Sequence, residues 1–189
     1  MIRIARAQDA AAIHAIYLPQ VLASAVTFET APPGEAAMRE RILGRLDRYP
    51  WLVCEQQGEL LGYAYASRFR DRAAYDWIAE TSVYVREDAR RRGVAGRLYA
   101  ALLQVLALQG VNQAMGAITL PGDASVALHE RLGFVPAGRW RRCGYKLGRW
   151  WDVGLWQKEL QPPPLPPSAL IPFAELAGTP ALARLLERA

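Results

Sequence analysis

The sequence predicts an α/β domain: a mixed, mostly antiparallel central sheet with helices on both faces. Two apolar runs at 51–55 and 60–66 flank Gly58-Glu59 and read as an antiparallel hairpin. Residues 78–85, 93–108 and 113–120 then alternate strand, helix and strand, the pattern of a parallel crossover. Strands of both senses in one chain of 189 residues call for helices covering both faces.

Element by element, Met1-Ile2-Arg3-Ile4-Ala5 opens as a strand and lacks the basic segment, apolar block and cleavage site of a signal peptide. A cytoplasmic protein is therefore expected. Asp9 suits the N-cap of a helix through Ile13, Ile16 and Tyr17, which Pro19 bends or ends. Pro32-Pro33-Gly34 precedes a second helix with Met38, Ile42, Leu43 and Leu46 at helical spacing. In the long helix after Gly93, Leu98, Leu102, Val105 and Leu106 share one face. A short helix through Val126, Leu128 and Leu132 ends on Gly133, a natural C-cap, and 134–140 and 151–160 supply two closing strands. The composition changes at Gln161. The run Pro162-Pro163-Pro164-Leu165-Pro166-Pro167 must be extended and cannot join a central strand. The domain is thus expected over 1–160, with a proline-rich tail over 161–189. Thr179-Pro180 starts a short helix there, with Leu182, Leu185 and Leu186 on one face. The tail either docks on the domain or a partner subunit, or is a mobile extension.

Composition narrows the function. No apolar run approaches the ~20 residues of a membrane span. Cys54 and Cys143 belong to no cysteine motif, and with only His14 and His129 present no metal site is expected. The net charge of +5 is concentrated in two clusters, Arg86, Arg90, Arg91, Arg92 and Arg97, and Arg139, Arg141, Arg142, Lys146 and Arg149. They suit either a nucleic-acid footprint or a pocket for a phosphorylated small molecule. No nucleic-acid motif accompanies them, and the glycines beside the first cluster favour the small molecule.

The strongest chemical signal is Ser82-Val83-Tyr84-Val85, a turn, and then Arg90-Arg91-Arg92-Gly93-Val94-Ala95-Gly96 opening a helix. A strand feeding a Gly-containing turn at a helix N-terminus gathers free N–H donors and the positive end of the helix dipole. That combination suits a pyrophosphate. Gly93 lets the backbone approach closely, and Ala95 and Gly96 keep the rim small. The segment has neither Gly-Lys-Ser/Thr nor Gly-x-Gly-x-x-Gly. A solvated basic turn before an amphipathic helix is the competing reading.

Arg90-x-x-Gly93-x-Ala95 resembles the Arg/Gln-x-x-Gly-x-Gly/Ala motif of the GNAT superfamily of N-acyltransferases. Further segments resemble its phosphinothricin and methionine sulfone/sulfoximine N-acetyltransferase branch. These are Arg48-Tyr49-Pro50-Trp51-Leu52-Val53, Ala74-Tyr75-Asp76-Trp77, Ala79-Glu80-Thr81-Ser82-Val83-Tyr84-Val85, Leu128-His129-Glu130-Arg131-Leu132-Gly133-Phe134 and Trp151-Asp152-Val153-Gly154. The similarity spans about 2–160. It implies acetyl-CoA lying between two splayed parallel strands, with Val83, Tyr84 and Val85 along its pantetheine arm and Arg90, Arg91, Arg92, Gly93, Val94, Ala95 and Gly96 around its pyrophosphate. Gly122 stands where the family usually has an Asn that contacts the cofactor arm. Its loss removes a side-chain hydrogen bond worth about 1 kcal/mol, so weaker cofactor binding is expected.

The resemblance also assigns chemistry. An α-ammonium must lose a proton before it attacks a thioester, and Glu80 matches the family's base. The backbone N–H near Val83 is the donor for the developing oxyanion. Tyr99 matches a position used as the acid for the leaving thiolate, or packs beneath the cofactor. His129 matches a position near the site and either helps in proton transfer or caps a polar network. No cysteine occupies a motif position, which favours direct transfer in a ternary complex. Arg70 and Arg72 are candidates for gripping a substrate anion; Phe28 matches an aromatic that lines the substrate pocket or packs, and Tyr75 and Trp77 are candidates for the same wall, across the interface of an expected homodimer. The expected activity is acetylation of the α-amine of a small anionic amino-acid-like molecule. The alternatives are acetylation of another amine, or a non-catalytic acyl-CoA-binding module; no nucleic-acid or membrane partner is expected.

Overall fold

Alternation along the strands sends apolar residues to both sides of one seven-stranded sheet, and helices cover each side. The structure, a computed structural model, describes residues 1–189. Its strands are β1 (Ile2–Ile4), β2 (Trp51–Gln56), β3 (Glu59–Arg68), β4 (Ile78–Val85), β5 (Gln113–Leu120), β6 (Val135–Lys146) and β7 (Arg149–Glu159). They lie in the order β1-β2-β3-β4-β5-β7-β6, and only β4 and β5 are parallel. The expected mixed sheet is present. On one face, Ile13, Ile16, Tyr17 and Val21 of α1 (Ala10–Ala23) and Met38 and Ile42 of α2 (Glu35–Leu46) bury Trp51, Val53 and Tyr63. On the other, Leu98, Leu102, Val105 and Leu106 of α3 (Val94–Leu108) pack on Leu52, Cys54, Ala64, Ala66, Ala79 and Ala114. The helix α4 (Asp123–Arg131) follows β5.

Three local expectations change. First, of the two outcomes expected at Pro19 the ending of the helix does not occur: α1 runs on to Ala23, because Val21 beyond the proline is buried with the rest of the helix and that packing outweighs the lost bond. Second, Asp9 precedes α1 without capping it. Its carboxylate accepts from the Arg3 guanidinium at 2.7 and 2.9 Å and from the Arg6 N–H at 2.7 Å. Third, β6 extends six residues beyond Trp140, to Lys146. It is an edge strand with little burial, so apolar alternation cannot mark its length. A bulge after Trp140 bends it, held by Asp152, which accepts from the Arg142 N–H and from Arg139 Nε, both at 2.7 Å.

The tail packs on the domain. Gln161 donates to the Ala107 and Val111 carbonyls at 3.1 Å, and the Ile171 N–H donates to the Gln109 carbonyl at 2.9 Å. Phe173 and Leu176 of α5 (Phe173–Leu176) and Leu182 of α6 (Pro180–Glu187) are buried against the α3 core. The Thr179 hydroxyl accepts from the Leu182 N–H, with Pro180 in the first turn. No helix is long and apolar enough to cross a membrane.

Candidate active site

The parallel pair is joined over only three positions, Ile78–Gln113, Ala79–Ala114 and Glu80–Met115. Both strands continue, to Val85 and to Leu120, without pairing to each other. The result is a fork open at the C-terminal ends of the strands. The Arg86 N–H donates to the Leu61 carbonyl of β3. Strand alternation therefore turns the N–H groups of Val85 and Val83 toward the open fork.

Past Val85 the chain enters the basic loop. Arg91 and Gly93 are both left-handed, with φ of 60° and 78°. A Cβ on Gly93 would meet nothing within 4 Å, so backbone conformation, not space, calls for glycine there. The N–H groups of Arg91, Arg92 and Gly93 have no backbone acceptor. Those of Val94, Ala95 and Gly96 form the first turn of α3, which no side chain caps. Arg90, Arg91 and Arg92 are exposed and form no ion pair; Arg92 reaches only Gln56, at 3.4 Å. A concave run of free donors at a helix dipole beside three unpaired guanidiniums fits a diphosphate.

Neighbouring residues of β4 serve opposite sides of the sheet. Glu80, Ser82 and Tyr84 share the face covered by α1 and α2, where Tyr84 packs on Tyr17 and Tyr63 with ring centroids 5.2 Å apart in both pairs. Burial pushes the Glu80 carboxyl above the usual glutamate range, opposed by Arg45. The Arg45 guanidinium lies over Tyr65, 4.8 Å from the ring centre. Thr81 points instead toward α3. There its Oγ1 is 2.5 Å from the Tyr99 hydroxyl, which is 3.0 Å from His129 Nε2. Tyr99 and His129 are buried. Burial raises the Tyr99 phenol well above its ordinary value and lowers the His129 imidazole below its own. Gly116 makes room for that ring: a Cβ there would lie 2.5 Å from Nε2.

On the Glu80 face a cavity of about 320 Å³ opens beside β5. Its walls are residues 23–26 at the end of α1 and just beyond it, Ala117 and Thr119 of β5, Leu147 and Trp151 of the β6–β7 hairpin, and Gly122 and Ser125 at the start of α4. None of its lining residues is charged. The hairpin holds the loop after α1. The Phe28 ring occupies the space in front of Gly144, where a side chain would collide with it. Lys146, only 6% exposed, donates to the Thr27 carbonyl at 2.7 Å. Burial lowers its ammonium pKa, opposed by Glu29.

Arg70, Arg72, Tyr75 and Trp77 do not line that cavity. Arg70 is exposed and stacks on Phe69 and Tyr75. Arg72 is exposed at the start of the Ala73–Tyr75 turn. The Trp77 indole N–H donates to the Ser168 carbonyl of the tail at 2.7 Å. Gly122 precedes α4, and a Cβ there would meet the Thr119 carbonyl at 2.6 Å and Ile118 Cγ2 at 2.8 Å. An Asn fits this loop only if the backbone moves. Sequence reasoning missed Thr81, Gly116 and the seat of Lys146. Each draws its meaning from a partner on another element, and no spacing within the chain announces it.

Comparison with known proteins follows the same lines. Residues 2–155 match the family model described as an acetyltransferase (GNAT) domain. A phosphinothricin N-acetyltransferase of Streptomyces viridochromogenes is 40% identical over 175 residues, 93% of this chain and 95% of its own. An L-methionine sulfoximine/L-methionine sulfone acetyltransferase of Pseudomonas aeruginosa is 39% identical over 115 residues, 60% of this chain and 67% of its own. The crystal structure of a phosphinothricin acetyltransferase from Sinorhizobium meliloti in complex with acetyl-CoA superposes with a TM-score of 0.81 at 36% identity, covering 84% of this chain and 87% of that one.

Proposed function

This chain belongs to the GNAT acetyltransferase family and is an acetyl-CoA-dependent N-acetyltransferase, and from that premise we propose that it acetylates the α-amine of a small amino-acid-like molecule of the phosphinothricin or methionine sulfoximine/sulfone type. The observation that carries the reading is the fork itself. It separates Glu80, on the face with the uncharged cavity, from Tyr99 and His129 on the other face. The relatives named for those substrates support the acceptor class.

Acetyl-CoA supplies a thioester carbonyl open to nucleophilic attack. The residues around it divide the work. The loop from Arg90 to Gly96 offers free N–H donors to the diphosphate, and Arg90, Arg91 and Arg92 add charge beside it. Val83 and Val85 offer main-chain donors along the fork, and Val83 donates where negative charge develops on the carbonyl oxygen. Glu80 takes the proton of the acceptor ammonium, directly or through water. Its raised pKa brings it nearer to the working pH, which favours a base that must both hold and release a proton. Tyr99 and His129 lie on the side where the thiolate leaves. Phe28 and Lys146 fix the loop walling the cavity, and exposed Arg70 and Arg72 supply cations for the acceptor's anionic group.

The test is thiol release from acetyl-CoA with methionine sulfone, methionine sulfoximine, phosphinothricin and ordinary amino acids as acceptors. Turnover with one of the first three is expected, and silence with all of them rejects the acceptor class. Glu80→Gln is expected to lower kcat by about 10²–10³-fold while acetyl-CoA still binds. In the wild type, kcat/KM falls as pH drops through the raised Glu80 pKa, because the protonated carboxyl cannot act as base. The acid limb therefore lies above the ordinary glutamate range. Unchanged turnover in the Gln variant would remove Glu80 from the chemistry.

A further inference from the structure

Thr81 stands at the fork of the sheet. Backbone pairing of β4 with β5 ends at Glu80–Met115, one residue before it. The Thr81 hydroxyl is 2.9 Å from the Met115 carbonyl and 2.5 Å from the Tyr99 hydroxyl, so a side chain spans the strands where the ladder stops. The chain of contacts continues from Tyr99 to His129 Nε2 at 3.0 Å. His129 Nδ1 lies 2.7 Å from the Ser125 carbonyl. A carbonyl only accepts, so Nδ1 carries a proton and the neutral ring has a bare Nε2.

Counting protons along this buried chain gives an asymmetry. Three contacts link Met115, Thr81, Tyr99 and His129, and a neutral imidazole leaves two hydroxyl protons to fill them. Tyr99 then donates to Nε2 rather than to the Thr81 carbonyl 3.3 Å away, and the single Thr81 proton serves either the Tyr99 oxygen or the Met115 carbonyl, so one of the three contacts lacks a proton. One proton added at Nε2 supplies the missing donor. Nε2–H donates to Tyr99, Tyr99 to Thr81, and Thr81 to Met115, and all three contacts are made. No covalent bond other than the new N–H changes; the two hydroxyl protons only turn to new partners.

We propose that Thr81 is a positioning residue that links the charge state of His129 to the fastening of the β4–β5 fork, and so to the seat of the thioester. This rests on the fork being the acetyl-CoA site. The groups facing His129 are few. Tyr99 comes from α3, the Ser125 carbonyl from α4, the bare backbone of Gly116 from β5, and Phe134 packs on both rings. Glu80, on the far face of β4, acts on Tyr99 through its charge. No charged side chain pairs with the imidazole.

The experiment is an NMR titration of His129 in the full chain without acetyl-CoA; with His14 as the only other histidine, the two rings are separable. Thr81→Val keeps the shape and removes the hydroxyl. Its His129 pKa is expected to fall by about half a unit, because the protonated chain loses acceptors that the neutral one does not use. Thr81→Ser is expected to restore the wild-type value. Thr81→Ala, which cannot crowd the site, carries the same expectation should the valine variant not fold. In turnover the Val variant is expected to raise KM for acetyl-CoA severalfold, with less change in KM for the acceptor. Identical His129 titrations in wild type, Thr81→Val and Thr81→Ala overturn the proposal. Because the titration needs no turnover, a wild type that failed to acetylate amino acids would count against the proposed acceptor and leave this result readable.

Discussion

On the α3 side of β4, the groups that fit acetyl-CoA come from one continuous stretch, and they are mostly backbone: the N–H groups of Val83 and Val85, the left-handed turns at Arg91 and Gly93, and the uncapped start of α3. On the α1–α2 side, the cavity wall is assembled from segments far apart in the chain and held by side chains. Lys146 reaches the Thr27 carbonyl across 119 positions, and Phe28 lodges against Gly144. A site made of main chain tolerates side-chain truncation but suffers when a Cβ is added where atoms already sit. A wall held by side chains suffers when one of them is truncated.

Among changes that test this contrast, the largest effect is expected from adding one carbon on the backbone-built side. In Gly116→Ala the new Cβ would lie 2.5 Å from His129 Nε2, and the ring is hemmed in by Tyr99 and Phe134. Overpacking of this kind costs about 1–3 kcal/mol of stability. The ring must also leave Tyr99, so kcat is expected to fall by roughly tenfold or more. Thermal unfolding and steady-state rates measure the two effects. An alanine variant with wild-type rates would break the comparison, since a close approach on the α3 side would then be slack.

Truncation on the other side is expected to act on the acceptor alone. Lys146→Met keeps a flexible apolar stem and removes the ammonium. The bond lost to the Thr27 carbonyl is charge-assisted, worth about 1.5–3 kcal/mol if nothing replaced it. The ammonium is also disfavoured by its own burial, so the net stability change is small. What changes is the freedom of residues 24–29, and KM for the acceptor is expected to rise by roughly tenfold while KM for acetyl-CoA holds. A rise in both constants would mean that the two sides are not separately built.

The same contrast governs what the sequence could disclose. The fork's strands, the basic loop and α3 were legible because each is a local pattern: alternation, then a glycine turn, then helical spacing. The docked tail was half legible. Thr179-Pro180 announced α6, but nothing before Ser168 foretold that its carbonyl would accept from Trp77. The links of Thr81 to Tyr99 and His129, and of Lys146 to Thr27, join three elements or more than a hundred residues, and no periodicity encodes them. Edge strand β6 read short because its exposed residues have no need to alternate.

The smallest effect concerns Gly122, in the turn between β5 and α4. Restoring the family's usual Asn would be expected to tighten cofactor binding if a missing side-chain hydrogen bond were all that mattered. The backbone says otherwise. Gly122 has φ −146° and ψ 48°, which carries no left-handed demand, yet a Cβ would sit 2.6 Å from the Thr119 carbonyl and 2.8 Å from Ile118 Cγ2. The first of those atoms is main chain and cannot rotate aside. Gly122→Asn must therefore shift the turn before α4, at a cost of about 1 kcal/mol that offsets one new hydrogen bond of similar size. KM for acetyl-CoA is expected to change by less than about threefold, with a lower unfolding temperature. Gly122→Ala separates the two contributions, since it brings the collision without the amide. If Asn tightens acetyl-CoA tenfold while Ala leaves stability untouched, the loop yields freely, and cofactor binding depends on side chains as much as the acceptor wall does.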